Sequence, residues 1–66
     1  MQIRINGELQ DVADGISAAA LIEHLGYAGQ RVAIEINGEV VPRGRWPETR
    51  LRPGDRAELV RAIGGG

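Results

Sequence analysis

Two Asn-Gly pairs, each set between short segments of alternating apolar and polar residues, and one capped helix between them predict an α+β fold. A further alternating segment near the end completes the order strand, strand, helix, strand, strand, strand. Neither hairpin can bury its apolar face alone, so the helix must lie across one face of a shared sheet. The expected architecture is a β-grasp roll, a mixed sheet of four to five strands with one helix packed across it. The connection between the hairpins is long enough for a parallel, right-handed crossover, and the first and last strands are expected to pair centrally.

Each element has its own signal. Gln2 to Asn6 alternates, with Ile3 and Ile5 on one face. Asn6-Gly7 reverses the chain into a second strand over Glu8 to Val12. A two-residue loop there sets Leu9 opposite Arg4, and a bulged three-residue loop sets it opposite Ile3. The bulged form is expected, because it brings two apolar residues together. After the Asp14-Gly15 turn, Ser17 is placed to cap a helix running from Ala18 to Leu25, with Ile16 and Leu21 at staple spacing. Leu21, Ile22 and Leu25 share its apolar face, and Gly26 stands where a left-handed terminator belongs.

Arg31 to Ile36 alternates with Val32, Ile34 and Ile36 inward, and Asn37-Gly38 turns it into Glu39-Val40-Val41. Pro42 ends that strand, having no N–H for a ladder. Gly44 to Glu48 reads as a turn or short 3₁₀ segment whose Trp46 covers the small core. The Pro53-Gly54-Asp55 turn leads into the last strand, Arg56 to Ala62, with Ala57 and Leu59 inward and Glu58, Val60 and Ala62 outward. The domain is expected to cover residues 1–63, with 64–66 as a flexible glycine tail.

Composition narrows the function. Sixty-six residues suffice for one domain, and Cys is absent, so no disulfide or thiolate metal site is available. His24, the single histidine, has no second imidazole to share a metal with. A formal charge of −1 argues against nucleic-acid binding, which needs a basic face. No apolar run reaches the roughly 18–20 residues of a membrane span, and the start carries no signal-peptide pattern. A cytoplasmic protein with no membrane partner is therefore expected. Ser17 and Thr49 have no triad partners, and no carboxylates are spaced for acid–base work. Phosphate loops and dinucleotide fingerprints are missing. The chain is not expected to be an enzyme; it can be the substrate of one.

What remains is the run Gly64-Gly65-Gly66. At an ordinary glycine usage of roughly 7%, three in a row at a given place arise about 3 times in 10,000, so chance is a poor explanation. Glycine brings nothing to a core and costs the most backbone entropy. Its use here suits a narrow, unhindered arm that delivers the carboxylate of Gly66 into another protein's active site. A carboxylate must be activated before it can acylate anything, and a water-excluding site is needed for that step. The outward apolar residues nearest the arm, Val60, Ala62 and Ile63, are the candidates for partner docking. All eight basic residues are Arg, so no lysine amine of the protein's own could capture an activated Gly66.

Met1-Gln2-Ile3 with Asn6-Gly7, the stretch Ile36-Asn37-Gly38-Glu39-Val40-Val41-Pro42-Arg43 with Trp46, and Gly54-Asp55 before a strand ending Ile63-Gly64-Gly65-Gly66 resemble the ThiS family of ubiquitin-like sulfur carriers. The resemblance covers essentially the whole chain, with Gly64 one glycine more than the family's Gly-Gly ending. It implies that a ThiF-like adenylyltransferase uses Mg-ATP to form an acyl-adenylate on Gly66, while the carrier itself binds no cofactor. Sulfur drawn from cysteine by a cysteine desulfurase would replace AMP, leaving a thiocarboxylate that a ThiG-like thiazole synthase consumes in thiamine biosynthesis. Three other readings fit the same features: a MoaD-like carrier for molybdopterin, a ubiquitin-like protein modifier, and a non-covalent β-grasp binding module.

Overall fold

The structure, a computed structural model, describes residues 1–61. Five strands form one mixed sheet: β1 (Gln2–Ile5), β2 (Glu8–Asp11), β3 (Val32–Ile36), β4 (Glu39–Val41) and β5 (Arg56–Arg61). One helix, α1 (Ala18–His24), and a 3₁₀ turn over Arg43–Arg45 complete the elements. The spatial order is β2-β1-β5-β3-β4, so the first and last strands do pair centrally, as a parallel ladder. The expected β-grasp architecture is present, with five strands. The strands joined by the helical crossover, β2 and β3, run in the same direction but are separated by β1 and β5. The parallel ladder therefore joins the two hairpins through the last strand.

The first hairpin differs from expectation. Arg4 faces Leu9 and Ile5 faces Glu8, the register of a two-residue loop without a bulge. Asn6 and Gly7 have φ of 50° and 85°, the pair of left-handed values a type I′ turn requires. That turn matches the strand twist by itself, so the local geometry overrides the gain from pairing Leu9 with Ile3. Leu9 consequently lies on the outer face. The Asn37-Gly38 turn repeats the same conformation, with φ of 53° and 86°.

The helix starts where Ser17 allows it. Ser17 Oγ accepts from the Ala20 N–H at 3.1 Å. The N–H groups of Ala18 and Ala19 donate to the carbonyls of Thr49 and Trp46. The loop after the 3₁₀ turn thus satisfies the helix donors that have no intrahelical acceptor. At the other end, Gly26 takes φ of 85°. The Gly26 and Tyr27 N–H groups bond back to Glu23 and Ile22, each at 3.0 Å. This is the left-handed terminator expected at Gly26, with Leu25 as the cap.

Inward residues of the sheet meet Ala18, Leu21 and Ile22 of the helix in one core. Ile3, Leu21, Ile34 and Leu51 are its largest fully buried side chains. Burial of each contributes about 1.5–3 kcal/mol relative to exposure. Trp46 closes the core as expected: it is buried, and its indole Nε1–H donates to the Val41 carbonyl at 2.9 Å. Leu51, on an irregular segment with no periodicity to announce it, is a core residue that pattern reading overlooks.

Candidate functional site

β5 is the strand from which residues 62–66 continue, and the sheet holds it from both sides. On one side it pairs with β1, where Asn6 N–H donates to the Ala57 carbonyl at 2.9 Å. Beyond the end of β1 the Asn6 side chain extends the contact: its Oδ1 accepts from the Leu59 N–H at 2.8 Å, in a partly buried position. On the other side β5 pairs with five residues of β3. There Asn37 Oδ1 accepts from the Arg56 N–H, and Asn37 Nδ2 donates to Asp55 Oδ1, each at 3.0 Å. The two turn asparagines thus fasten the strand as well as reversing the chain. Sequence reading treats them as turn residues only, because a contact across 53 residues leaves no local pattern.

Alternation along β5 is as expected. Ala57 and Leu59 are buried in the core, and Glu58 and Val60 are exposed. Val60, the docking candidate among the described residues, is 61% exposed and stands on the face away from the helix. The other docking candidates, Ala62 and Ile63, and the tail Gly64, Gly65 and Gly66 lie outside the described residues, as does the boundary between a domain at 1–63 and a tail at 64–66.

Val60 is not alone on that outer face. Ala33 lies opposite it on β3, and Val40 lies opposite Glu35 on β4. Among the described residues the exposed large apolar side chains are Val60, Val40 at 65% and Leu9 at 52%. All belong to the same outer face, since Leu9 pairs with outward Arg4. Val40 and Leu9 were missed as docking candidates. A two-residue loop at each Asn-Gly pair would have assigned both to this face. Ala33, Val40 and Val60 border an open groove of about 380 Å³, whose rim carries Arg31 and Arg43. The Arg43 guanidinium lies 5.4 Å from the centroid of the Trp46 ring, within cation–π range.

The hydroxyls that could be mistaken for nucleophiles are engaged structurally. Ser17 Oγ caps the helix, and Thr49 Oγ1–H donates to the Arg45 carbonyl at 2.7 Å. His24 is exposed in the last helical turn. The arrangement suits presentation: a rigid central strand, a partly apolar face beside it, and a chain continuing from its end. No helix of the described residues is long and apolar enough to cross a membrane.

The ThiS family model matches residues 3–66. The chain is 36% identical over 66 residues to a thiazole synthase of Paramagnetospirillum magneticum, a match that takes in all of this chain and 20% of that protein. The chain thus spans about a fifth of the length of that relative, and a thiazole synthase of Magnetococcus marinus, 39% identical over the same length, shows the same proportion. Against the sulfur carrier protein ThiS of Escherichia coli it is 33% identical, and both chains are covered completely. The crystal structure of the thiamine biosynthesis protein ThiS from Geobacter metallireducens superimposes with a TM-score of 0.87 at 32% identity, again over all of both chains.

Proposed function

The chain belongs to the ThiS family, and on that premise we propose that it is a sulfur carrier protein of thiamine biosynthesis. The observation that carries the reading is the end-to-end correspondence with the carrier of Escherichia coli, without a region left over in either chain. The arrangement around β5 supports it, because β5 is held rigidly while its outer face stays open. The protein acts as a co-substrate: other proteins do the chemistry on it.

The reactive group is the carboxylate of Gly66. A ThiF-like adenylyltransferase, using Mg-ATP, directs a carboxylate oxygen onto the α-phosphorus of ATP. The P–O bond to pyrophosphate breaks, and an acyl-adenylate is left on Gly66. A cysteine desulfurase holds sulfur from cysteine as a persulfide, whose terminal sulfur attacks the acyl carbon and expels AMP; a thiol then cleaves the S–S bond, leaving a thiocarboxylate on Gly66 and the thiol oxidised to a disulfide. Thiazole synthase accepts that sulfur, and the carboxylate returns. Gly64 and Gly65 serve as the thread, since residues without Cβ pass through a narrow channel with least hindrance. Binding energy from the folded domain, remote from the reacting atom, positions the carboxylate. Val60, Ala62 and Ile63 contribute to that docking. The full-length match of this chain to part of two thiazole synthases favours thiazole synthase as the acceptor.

The test is intact mass spectrometry after incubation with Mg-ATP, the source organism's adenylyltransferase and a sulfur donor. The expected product is heavier by the difference between sulfur and oxygen, with the change mapped to Gly66. A chain lacking Gly66 stays unchanged. If the full chain gains no sulfur while its adenylyltransferase consumes ATP on another carrier, the reading fails.

A further inference from the structure

The two ladders that hold β5 do not run equally far. β3 is in register with it from Ala57 to Arg61, whereas β1 is in register only at Arg56 and Ala57. Residues 58–61 therefore have a strand on one side and none on the other. They are also the part of β5 from which the chain continues into residues 62–66. A strand end paired on one side only opens locally at little cost in free energy. Here the Asn6 side chain stands in for the missing strand: its Oδ1 accepts from the Leu59 N–H at 2.8 Å, in a partly buried position. The turn itself does not need that oxygen, because glycine fills the first position of a type I′ turn as asparagine does. Asn37 provides the contrast. In a turn of the same conformation it bonds Asp55 and Arg56, at the other end of β5 and in exposed positions.

We propose that Asn6 is a positioning residue for the reaction at the C-terminus. By fixing Leu59 it fixes the direction in which the chain leaves β5, and with it the placement of the Gly66 carboxylate in the activating site. The inference rests on the carrier reading, in which a carboxylate oxygen of Gly66 attacks the α-phosphorus of ATP and pyrophosphate leaves. Asn6 acts only through Leu59, so its contribution belongs to the adenylation step and not to binding of the carrier. Loss of its oxygen leaves the exposed side chains of β5 in place and frees residues 58–61 to pivot about the β3 ladder. Misplacing a reacting group by about 1 Å can lower a rate by as much as about 100-fold. The activating site itself corrects part of such a pivot, so the expected loss is smaller.

The experiment is single-turnover adenylation of the whole chain by the source organism's adenylyltransferase, with Mg-ATP saturating and the enzyme varied in excess over the carrier. Pyrophosphate formation gives a maximal rate constant and a half-saturating concentration. Four chains are compared: unaltered, Asn6→Gly, Asn6→Asp and Asn37→Gly. Circular dichroism confirms that each is folded at the assay temperature. If Asn6→Gly is not, Asn6→Ser takes its place, since its hydroxyl sits one bond nearer the backbone and stops short of Leu59. Asn6→Gly is expected to lower the maximal rate constant on the order of fivefold, with the half-saturating concentration within about twofold of the parent. Asn6→Asp keeps an acceptor and should restore the rate. Asn37→Gly removes two hydrogen bonds and should leave both constants within about twofold. A purely structural role would move neither constant once every chain is folded. The proposal is overturned if Asn6→Gly adenylates as fast as the parent, if only its half-saturating concentration rises, if Asn6→Asp does not recover, or if Asn37→Gly loses as much. Each of those results leaves the carrier reading standing, because the unaltered chain is adenylated. If the unaltered chain yields no pyrophosphate with an enzyme active on another carrier, the carrier reading fails and this inference with it.

Discussion

Replacing Asn6 by glycine isolates the side-chain contact that fastens β5. Asn6 sits at φ of 50°, which glycine adopts without strain, so the turn itself tolerates the change. What disappears is the acceptor for the Leu59 N–H, 2.8 Å away in a partly buried place. Leaving such a donor unsatisfied costs about 1–3 kcal/mol. Asn37→Gly is the internal reference, because its turn has nearly the same φ of 53° and carries the same glycine entropy term. Asn37 loses two side-chain hydrogen bonds, but both are exposed and water can replace them. Each then costs only about 0.5 kcal/mol. Burial, rather than the number of bonds, decides the order: Asn6→Gly should be the worse by about 1 kcal/mol, or about 4–8 °C in Tm for a domain of this size. Asn6→Asp keeps an acceptor and should recover most of the loss. The assay is thermal and urea unfolding followed by the fluorescence of Trp46, the single tryptophan and a buried one. Equal midpoints for the two glycine variants, or a lower one for Asn37→Gly, would refute the assignment of the Leu59 contact as the stronger fastening.

Trp46→Phe keeps most of the core cover but leaves the Val41 carbonyl without its indole donor, and should cost about 1–2 kcal/mol in urea unfolding monitored by circular dichroism. Trp46→Ala should cost about 3–5 kcal/mol. That is comparable with the roughly 3–10 kcal/mol total stability of a chain this short, so the variant is expected to be largely unfolded at 37 °C. Ser17→Ala removes the acceptor of the Ala20 N–H and should lower stability by about 1 kcal/mol, whereas Ser17→Asp should restore it. A Ser17→Ala midpoint unchanged from the parent would mean that the Thr49 and Trp46 carbonyls suffice to start the helix.

Local signals gave the elements away wherever one residue type has one conformational use. Asn-Gly at positive φ, Ser17 as a cap, Gly26 as a left-handed terminator and Pro42 after a strand all occupy the places their chemistry suggests. Register was less legible, because two rules competed at Leu9. Pairing apolar residues favoured a bulge, while the turn's own twist favoured the tight loop, and the turn prevailed. The same competition hid part of the exposed apolar face, since Leu9 and Val40 become outward residues only once both tight loops are accepted. Val60 was readable because alternation along β5 is uninterrupted. Leu51 and the contact from Asn6 to Leu59 were not, because both depend on segments brought together only by the finished fold.

β5 has one face in the core and one face open. Its inward residues, Ala57 and Leu59, are core, and its backbone is held on one side by β1 and Asn6 and on the other by β3 and Asn37. Nothing about the core constrains Glu58 or Val60 on the outer face, which is where Glu58 opposite Glu35 and an exposed valine are tolerated. Surface changes away from buried features ordinarily shift stability by no more than about 0.5 kcal/mol. The outer face can therefore vary in sequence without disturbing the fold that presents it. A strand fixed in the middle of a sheet is also a good base for positioning a chain that continues from its end. On the proposed carrier reading, the reacting carboxylate must be held to near-attack geometry, which a base fixed on both sides serves. The two asparagines place their fastening on the half of the strand nearest this need or at its root: Asn6 at Leu59, two residues before Arg61, and Asn37 at Arg56, where the strand begins.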